Sequence, residues 1–118
     1  MVVTRALHAR GLLCCLLLLA GCERPGEGAQ AIAGYAAYAP VIEALARFNA
    51  ENRVYPAALA DLAPTYLSEV PGEVNGYPLD YRSADRGADY ELTFSYSGPG
   101  MNTCRYRPDM GWACEGYF

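Results

Sequence analysis

From residue 31 to residue 52 the chain carries apolar side chains at helical spacing. They are Ile32, Tyr35, Tyr38, Ile42, Leu45 and Phe48. Residues three and four positions apart share one face of an α-helix, so this spacing predicts an amphipathic helix that ends near Asn52. Pro40 interrupts the pattern, because a proline inside a helix removes a hydrogen bond and crowds the preceding turn. We therefore expect a regular helix over residues 40–52, preceded by a less regular helical segment.

The second half of the chain alternates apolar and polar positions, as a β-strand with one buried face does. The clearest case is residues 90–96, in which the apolar positions are Tyr90, Leu92, Phe94 and Tyr96. A Gly-Pro-Gly sequence at residues 98–100 ends this strand, and the pair Asn75-Gly76 marks an earlier turn. Together with a hairpin over residues 103–117, the pattern predicts an antiparallel meander.

One helix followed by several antiparallel strands belongs to the α+β class. We expect one N-terminal helix packed on a three- to four-stranded antiparallel sheet. Between the helix and the sheet, Tyr55 and Pro56 begin a short helical segment that contains Leu59 and Leu62. A chain of 118 residues has room for one domain, which we assign to residues 31–118.

The first 22 residues have a different pattern. Basic side chains at Arg5 and Arg10 precede a short apolar run at residues 12–19, an order typical of a secretory signal peptide. The run is much shorter than the roughly 20 residues that a membrane-spanning helix needs. The four residues Leu19-Ala20-Gly21-Cys22, an apolar residue and two small ones before a cysteine, resemble the lipobox of bacterial lipoproteins. The resemblance implies that residues 1–21 are cleaved and that Cys22 is lipidated.

Lipid on Cys22 implies a cell-envelope protein that is held to a membrane by its amino end. The two or three acyl chains expected for this family together give stable anchoring. Residues 22–30 are rich in polar residues, glycine and proline, so we expect them to form a flexible tether. Glu23 is not the aspartate associated with retention in the inner membrane, and the resemblance therefore favours the outer membrane, with the domain facing the periplasm.

Two cysteines remain in the mature chain after the signal peptide and the lipidated residue are set aside. Cys104 and Cys114 flank the turn-forming residues 108–111 and lie five positions either side of Asp109. In a hairpin that folds about this turn they face each other across two strands. We predict a disulfide, because a metal site needs more ligands and a redox pair usually has only two residues between its cysteines.

A second resemblance covers residues 41–96. The ordered residues that carry it are a helix, Tyr55-Pro56, Leu59, Leu62, Pro64, Tyr66-Leu67, Pro71, Gly76-Tyr77-Pro78-Leu79 and Tyr81. This series is similar to the globular domain of type II secretion pseudopilins and related type IV pilin-like proteins, and it implies a pilin-like head. The chain departs from that family at its amino end, where a lipobox replaces the long apolar helix that joins pilin subunits.

Charge and composition exclude several classes of function. The mature chain has seven arginines, no lysine and thirteen acidic residues, so it lacks the basic surface that nucleic acid requires. The single histidine, His8, belongs to the predicted signal peptide, which removes histidine bases and histidine metal ligands. No pair of carboxylates is singled out by its spacing. We therefore expect neither an enzyme nor a cofactor.

Four acidic residues lie close together in the sequence. They are Asp80, Asp85, Asp89 and Glu91. Carboxylate oxygens are the ligands that calcium prefers, and some pseudopilins bind calcium in a loop of the sheet. The favoured interpretation is a solvated acidic turn, because the spacing matches no EF-hand loop.

Two classes of function fit these features. The first is a lipoprotein whose pilin-like head contacts an envelope protein, as part of a secretion or pilus apparatus or elsewhere. The second is a small module that binds a glycan or inhibits a lytic enzyme. The candidate interaction surface in both cases is the aromatic carboxyl end, comprising Tyr106, Trp112, Tyr117 and Phe118. Aromatic residues aligned on one open face would favour the binding module, whereas core packing explains each of them equally well.

Overall fold

In the computed structural model of the protein, residues 23–117 are described. The predicted signal peptide, Cys22 and Phe118 lie outside the described residues. The chain forms one long helix, α1 (Ala29–Asn52), and then two antiparallel sheets. The strands are β1 (Glu73–Val74), β2 (Tyr77–Pro78), β3 (Asp80–Ala84), β4 (Asp89–Ser97), β5 (Met101–Arg107) and β6 (Gly111–Tyr117). The predicted α+β class is confirmed.

Helix α1 is longer and more regular than the sequence pattern predicts. It begins at Ala29 and continues through Pro40 without a break, so the expected irregular lead-in is wrong. Pro40 is on the exposed side of the helix, where its ring does not disturb packing, and the alanine-rich residues before it favour helix. The helix ends at Asn52, as predicted, and Arg53 follows in a left-handed conformation with its N–H donated to the Asn49 carbonyl.

The buried stripe of α1 differs from the predicted one. Its members are Ala31, Gly34, Tyr38, Val41, Ala44 and Leu45, whereas the side chain of Ile32 is 64% exposed. Three of these six buried residues are glycine or alanine. A Cβ atom at Gly34 would overlap the ring of Phe94, so glycine allows the helix backbone to approach β4 closely.

The main sheet is an antiparallel meander in the order β3-β4-β5-β6. In β4 the residues Tyr90, Leu92, Phe94 and Tyr96 are buried and alternate with less buried neighbours, which confirms the predicted period of two. These side chains face α1 and form the core. The opposite face of the sheet carries the polar residues, and we call it the outer face. The Asn75-Gly76 turn joins β1 to β2 in a separate two-stranded ribbon.

The segment between α1 and the sheets packs against the carboxyl end of the helix. Leu62 ends a 3-10 turn (Leu59–Leu62) and is fully buried in the core. The N–H of Tyr55 donates to the Gly87 carbonyl at 2.8 Å, and the Pro56 carbonyl accepts the Tyr81 hydroxyl at 2.5 Å. The predicted short helical segment is confirmed as this 3-10 turn, but it begins at Leu59 and not at Tyr55 and Pro56, whose backbones hydrogen-bond to Gly87 and Tyr81 instead.

Candidate functional site

The residues that precede α1 are held against the domain. The N–H of Gly26 donates to the Tyr96 hydroxyl at 2.8 Å, and its carbonyl accepts the Tyr35 hydroxyl at 2.9 Å. Residues 24–27 make a turn in which the Glu27 N–H donates to the Arg24 carbonyl. The expected tether is thus shorter than predicted, because tyrosines from the helix and the sheet fix its backbone at Gly26. We call this arrangement of Gly26, Tyr35 and Tyr96 the anchor junction.

The predicted disulfide lies directly beside the anchor junction. Cys104 and Cys114 are opposite each other on β5 and β6, with their Cα atoms 4.1 Å apart, and their sulfurs are bonded. The Tyr35 hydroxyl is 3.2 Å from the Cys114 sulfur, and a Cβ atom at Gly26 would be 2.8 Å from the same sulfur. The disulfide therefore joins the last two strands, and the amino-terminal segment packs against its Cys114 sulfur at Gly26.

The predicted aromatic surface is divided between the two faces of the sheet. Trp112 is on the core side and contacts the rings of Tyr35 and Phe94, each with a centroid distance of 5.1 Å. Tyr106 packs beside it at 5.3 Å. Tyr117, in contrast, is 63% exposed on the outer face. These residues do not form one open patch, because neighbours in a strand point to opposite faces.

Three of the four carboxylates considered for calcium face arginines instead. Asp80 lies 3.6 Å from Arg82, Asp89 lies 3.1 Å from Arg107, and Glu91 lies 3.9 Å from Arg105. Asp85 belongs to the 3-10 turn Asp85–Gly87 between β3 and β4. Within residues 23–117, no group of three or more acidic, histidine or cysteine side chains is arranged to hold a metal ion. The structure therefore does not gather these carboxylates into a site.

The outer face of the sheet is polar and crossed by ion pairs. Arg105 is the centre of this network, since it pairs with Glu91 on β4 and with Glu115 on β6. The hydrogen bond from Arg105 lowers the pKa of the Glu115 carboxyl. A shallow depression of about 110 Å³ beside these residues is lined by Arg105, Ala113, Cys114 and Glu115. This volume is well below the roughly 300 Å³ at which small-molecule pockets begin.

Buried tyrosine hydroxyls cross-link the core. The Tyr38 hydroxyl donates to the Thr93 carbonyl at 2.6 Å and accepts the Asp80 N–H at 3.1 Å, so it joins β3 and β4 at the point where they begin to pair. Burial raises the pKa of Tyr38 to about 12, and it raises the pKa of Tyr81 to the same value. Such phenols stay protonated and act as hydrogen-bond donors, which is a structural role.

The residues that build the anchor junction carry no local signal of that role. Gly26 falls within the predicted tether of residues 22–30, and Tyr35 and Tyr96 fit the apolar periodicity of a helix and a strand. The isolated glycine at position 34 does signal the close packing of α1 on β4, since a glycine within a helical pattern often allows a close approach. For Gly26 the sequence offered no such signal, because its partners are 9 and 70 residues away.

No helix within residues 23–117 is both long and apolar enough to cross a membrane. Comparison with known proteins adds no family: no protein-family model, no curated protein and no solved structure matches the chain.

Proposed function

We propose that the chain is a lipid-anchored cell-envelope lipoprotein whose α+β head is a protein-interaction module. The observation that carries the proposal is the lipobox at residues 19–22, which ends four residues before the domain begins at the anchor junction. The Cys104–Cys114 disulfide supports it, because stable disulfides form in oxidising compartments such as the periplasm. The outer membrane is the favoured location, on the basis of Glu23.

The proposed head is pilin-like. One amino-terminal helix followed by an antiparallel meander is the architecture that the resemblance over residues 41–96 implies. A scaffold of this kind does not fix a function, so we infer a structural or protein-contacting role within the envelope, in association with a secretion or pilus apparatus. The alternative glycan-binding or inhibitor role is less favoured, because Tyr106 and Trp112 are half-buried against the core and do not share one open face with Tyr117.

Lipidation is tested by metabolic labelling with a palmitate analogue in a bacterial host. The wild-type protein is expected to incorporate the label and to sediment with membranes, whereas Cys22→Ser should do neither. Cys15→Ser is the matched control, since this cysteine lies in the predicted signal peptide and its loss should leave labelling unchanged. Incorporation of label by Cys22→Ser would contradict the proposal.

Membrane choice is tested by separating inner and outer membranes on a density gradient. Wild type should co-migrate with the outer membrane, and Glu23→Asp should move toward the inner membrane. The matched control is Glu27→Asp, which makes the same change outside the position next to Cys22. Equal distributions for all three proteins would remove the argument for the outer membrane.

The interaction role is tested by crosslinking in cells with a photoreactive residue. Position 103 samples the outer face of the sheet, and position 36 samples the exposed side of α1. We expect one of the two sites to capture a defined envelope protein. Recovery of no envelope protein from either site would argue against an interaction module.

A further inference from the structure

We propose that the end of the domain where α1 begins is a membrane-contacting surface whose partner is a phospholipid bilayer. We call this region the anchor end; it comprises Gly26, Ile32, residues 98–100, Met101 and Tyr117. The inference rests on the proposed lipidation of Cys22 and adds to it a defined orientation of the head. Three independent observations carry it: the length of free chain, the position of exposed apolar residues and the distribution of charge.

The free chain between the lipid and the domain is short. Gly26 is fixed by hydrogen bonds to Tyr96 and Tyr35, and it lies four positions after Cys22, with three residues between them. A fully extended chain covers at most about 3.6 Å per residue, so Gly26 lies within about 14 Å of the lipidated cysteine. The part of the domain around Gly26 is therefore kept at the bilayer surface.

Hydrogen bonds and strand register place the loop between β4 and β5 at the same end. The Gln30 side chain, in the first turn of α1, donates to the Ser97 carbonyl at 2.8 Å. Ser97 is the register partner of Met101, and Met101 is in turn the partner of Tyr117. The beginning of β5 and the end of β6 therefore lie beside the beginning of the helix.

Large apolar side chains are exposed at this end. Ile32 is 64% exposed, Met101 is 41% exposed and Tyr117 is 63% exposed. Ile32 lies on the helix, and Met101 and Tyr117 lie on the outer face of the sheet. Exposed apolar side chains are therefore present on both the helix side and the sheet side of this end. A tyrosine with an apolar body and a polar hydroxyl suits the boundary between lipid headgroups and acyl chains.

The distribution of charged residues along the sheet also favours the anchor end as the membrane-contacting surface. Residues 92–104, which contain the β4–β5 loop, include no charged side chain. The opposite end of the sheet, which we call the distal end, carries Asp89, Arg107 and Asp109 around the β5–β6 turn. Because moving charge into a bilayer is costly, this uncharged loop is able to approach the acyl chains, as is the uncharged first part of α1 beside it. The exposed charges of Glu23, Arg24 and Glu27 also lie at the anchor end, next to Gly26 and Gly28, and the proposed orientation keeps them at headgroup level.

Exposure alone does not identify the surface, because Met110 at the distal end is 72% exposed. This residue provides the matched control. Met101 and Met110 lie at opposite ends of the β5–β6 hairpin, about 20 Å apart along a seven-residue strand. The two methionines are chemically identical and both are exposed, so the proposed orientation predicts that their distance from the bilayer distinguishes them.

The experiment measures tryptophan quenching by brominated acyl chains. Lipidated protein purified from cells is reconstituted into phosphatidylcholine vesicles, and Met101→Trp and Met110→Trp are compared with the parent, whose Trp112 gives the baseline. We expect the fluorescence added by Met101→Trp to be quenched strongly and that added by Met110→Trp to be quenched weakly. Tyr117→Trp is a second reporter at the anchor end if Met101→Trp disturbs the fold.

The two proposals fail in different ways. Equal quenching of both reporters in protein that carries palmitate and floats with vesicles would overturn the orientation and leave lipidation intact. Protein that carries no palmitate and does not float would overturn the proposed function, and with it the orientation. Stronger quenching of Met110→Trp would place the distal end against the bilayer and would also overturn the inference.

Discussion

Single residues decide how closely the helix and the sheet approach. Gly34 faces β4, and the space that a larger side chain would fill is occupied by the ring of Phe94. Tyr38 lies at the centre of this interface, fully buried, with its hydroxyl bonded to both β3 and β4. Replacing these residues should therefore affect stability in ways that helix propensity alone does not predict.

Gly34→Ala should destabilise the protein. Helix propensity alone would make the change favourable by about 1 kcal/mol. The new methyl group would overlap the Phe94 ring, and overpacking of this kind costs about 1–3 kcal/mol, so the net effect is expected to be a loss. Urea unfolding measures it. Adding Phe94→Leu should reduce the penalty, and a more stable Gly34→Ala protein would show that the helix does not pack this closely.

Tyr38→Phe should lower the free energy of unfolding by about 1–3 kcal/mol, since the Asp80 N–H and the Thr93 carbonyl lose their buried partner. The matched control is Tyr117→Phe, which removes an exposed hydroxyl and should change stability little. Similar unfolding free energies for the two variants would contradict the bridging role of Tyr38.

Stability should also fall at alkaline pH. The pKa values of Tyr38 and Tyr81 are raised to about 12 by burial, whereas an unfolded tyrosine titrates near 10. Stability is therefore fully present below pH 10 and decreases as the pH rises from 10 to 12, where the unfolded chain loses protons that the folded chain keeps. Urea melts at pH 9 and pH 11 measure the change. Tyr38→Phe should show a smaller decrease.

Among the elements, the hairpin of β5 and β6 is the one that a covalent bond, the Cys104–Cys114 disulfide, stabilises. Its two cysteines are direct register partners, and their bridge closes a sequence separation of 10 residues. The bridge also lies between the sheet and the amino-terminal segment. The hairpin follows its sequence prediction, whereas helix α1 does not. Pro40 lies on the exposed side, and the helix continues through it.

Loss of the disulfide should lower stability by about 2–3 kcal/mol in the chain-entropy model. The variant is the double substitution C104A/C114A, which avoids leaving a hydroxyl group at the fully buried position 104. A reducing agent should shift the urea midpoint of wild type toward that of the variant and leave the variant itself unchanged. A midpoint that responds in neither protein would mean that the bridge contributes nothing to stability.

At the scale of the whole molecule, the anchor junction connects the residues that precede α1 to the core. Tyr35 comes from the helix, Tyr96 from the sheet and Cys114 from the disulfide, and all three surround Gly26. The residues that precede α1 are consequently held against one end of the domain. The proposed lipid on Cys22 would therefore lie close to that end.

Gly26→Ala should release this segment without unfolding the domain. A Cβ atom there would lie 2.8 Å from the Cys114 sulfur and 3.0 Å from the Tyr35 hydroxyl. Faster cleavage after Glu27 by a glutamate-specific protease is the expected result. Gly76→Ala is the control, because Gly76 also has a positive φ but no atom within 4 Å of its Cβ position. Equal cleavage rates in both variants would indicate that backbone strain, and not the junction, controls access.

The sequence by itself determined what depends on local periodicity and local spacing. The α+β class, the alternation in β4, the end of the helix and the pairing of Cys104 with Cys114 all follow from residues close together in the chain. Lipidation of Cys22 and the pilin-like character of the head stay predictions that these patterns support.

Only the tertiary structure decided which residues of α1 face the sheet, how the aromatic residues divide between two faces, and where the amino-terminal segment attaches. Ile32 fits the predicted stripe yet is exposed, whereas Gly34 is buried because Phe94 lies against it. The physical reason is that these outcomes depend on contacts between residues far apart in the chain. Gly26 and Tyr96 are separated by 70 positions, and no local pattern contains information about such a pair.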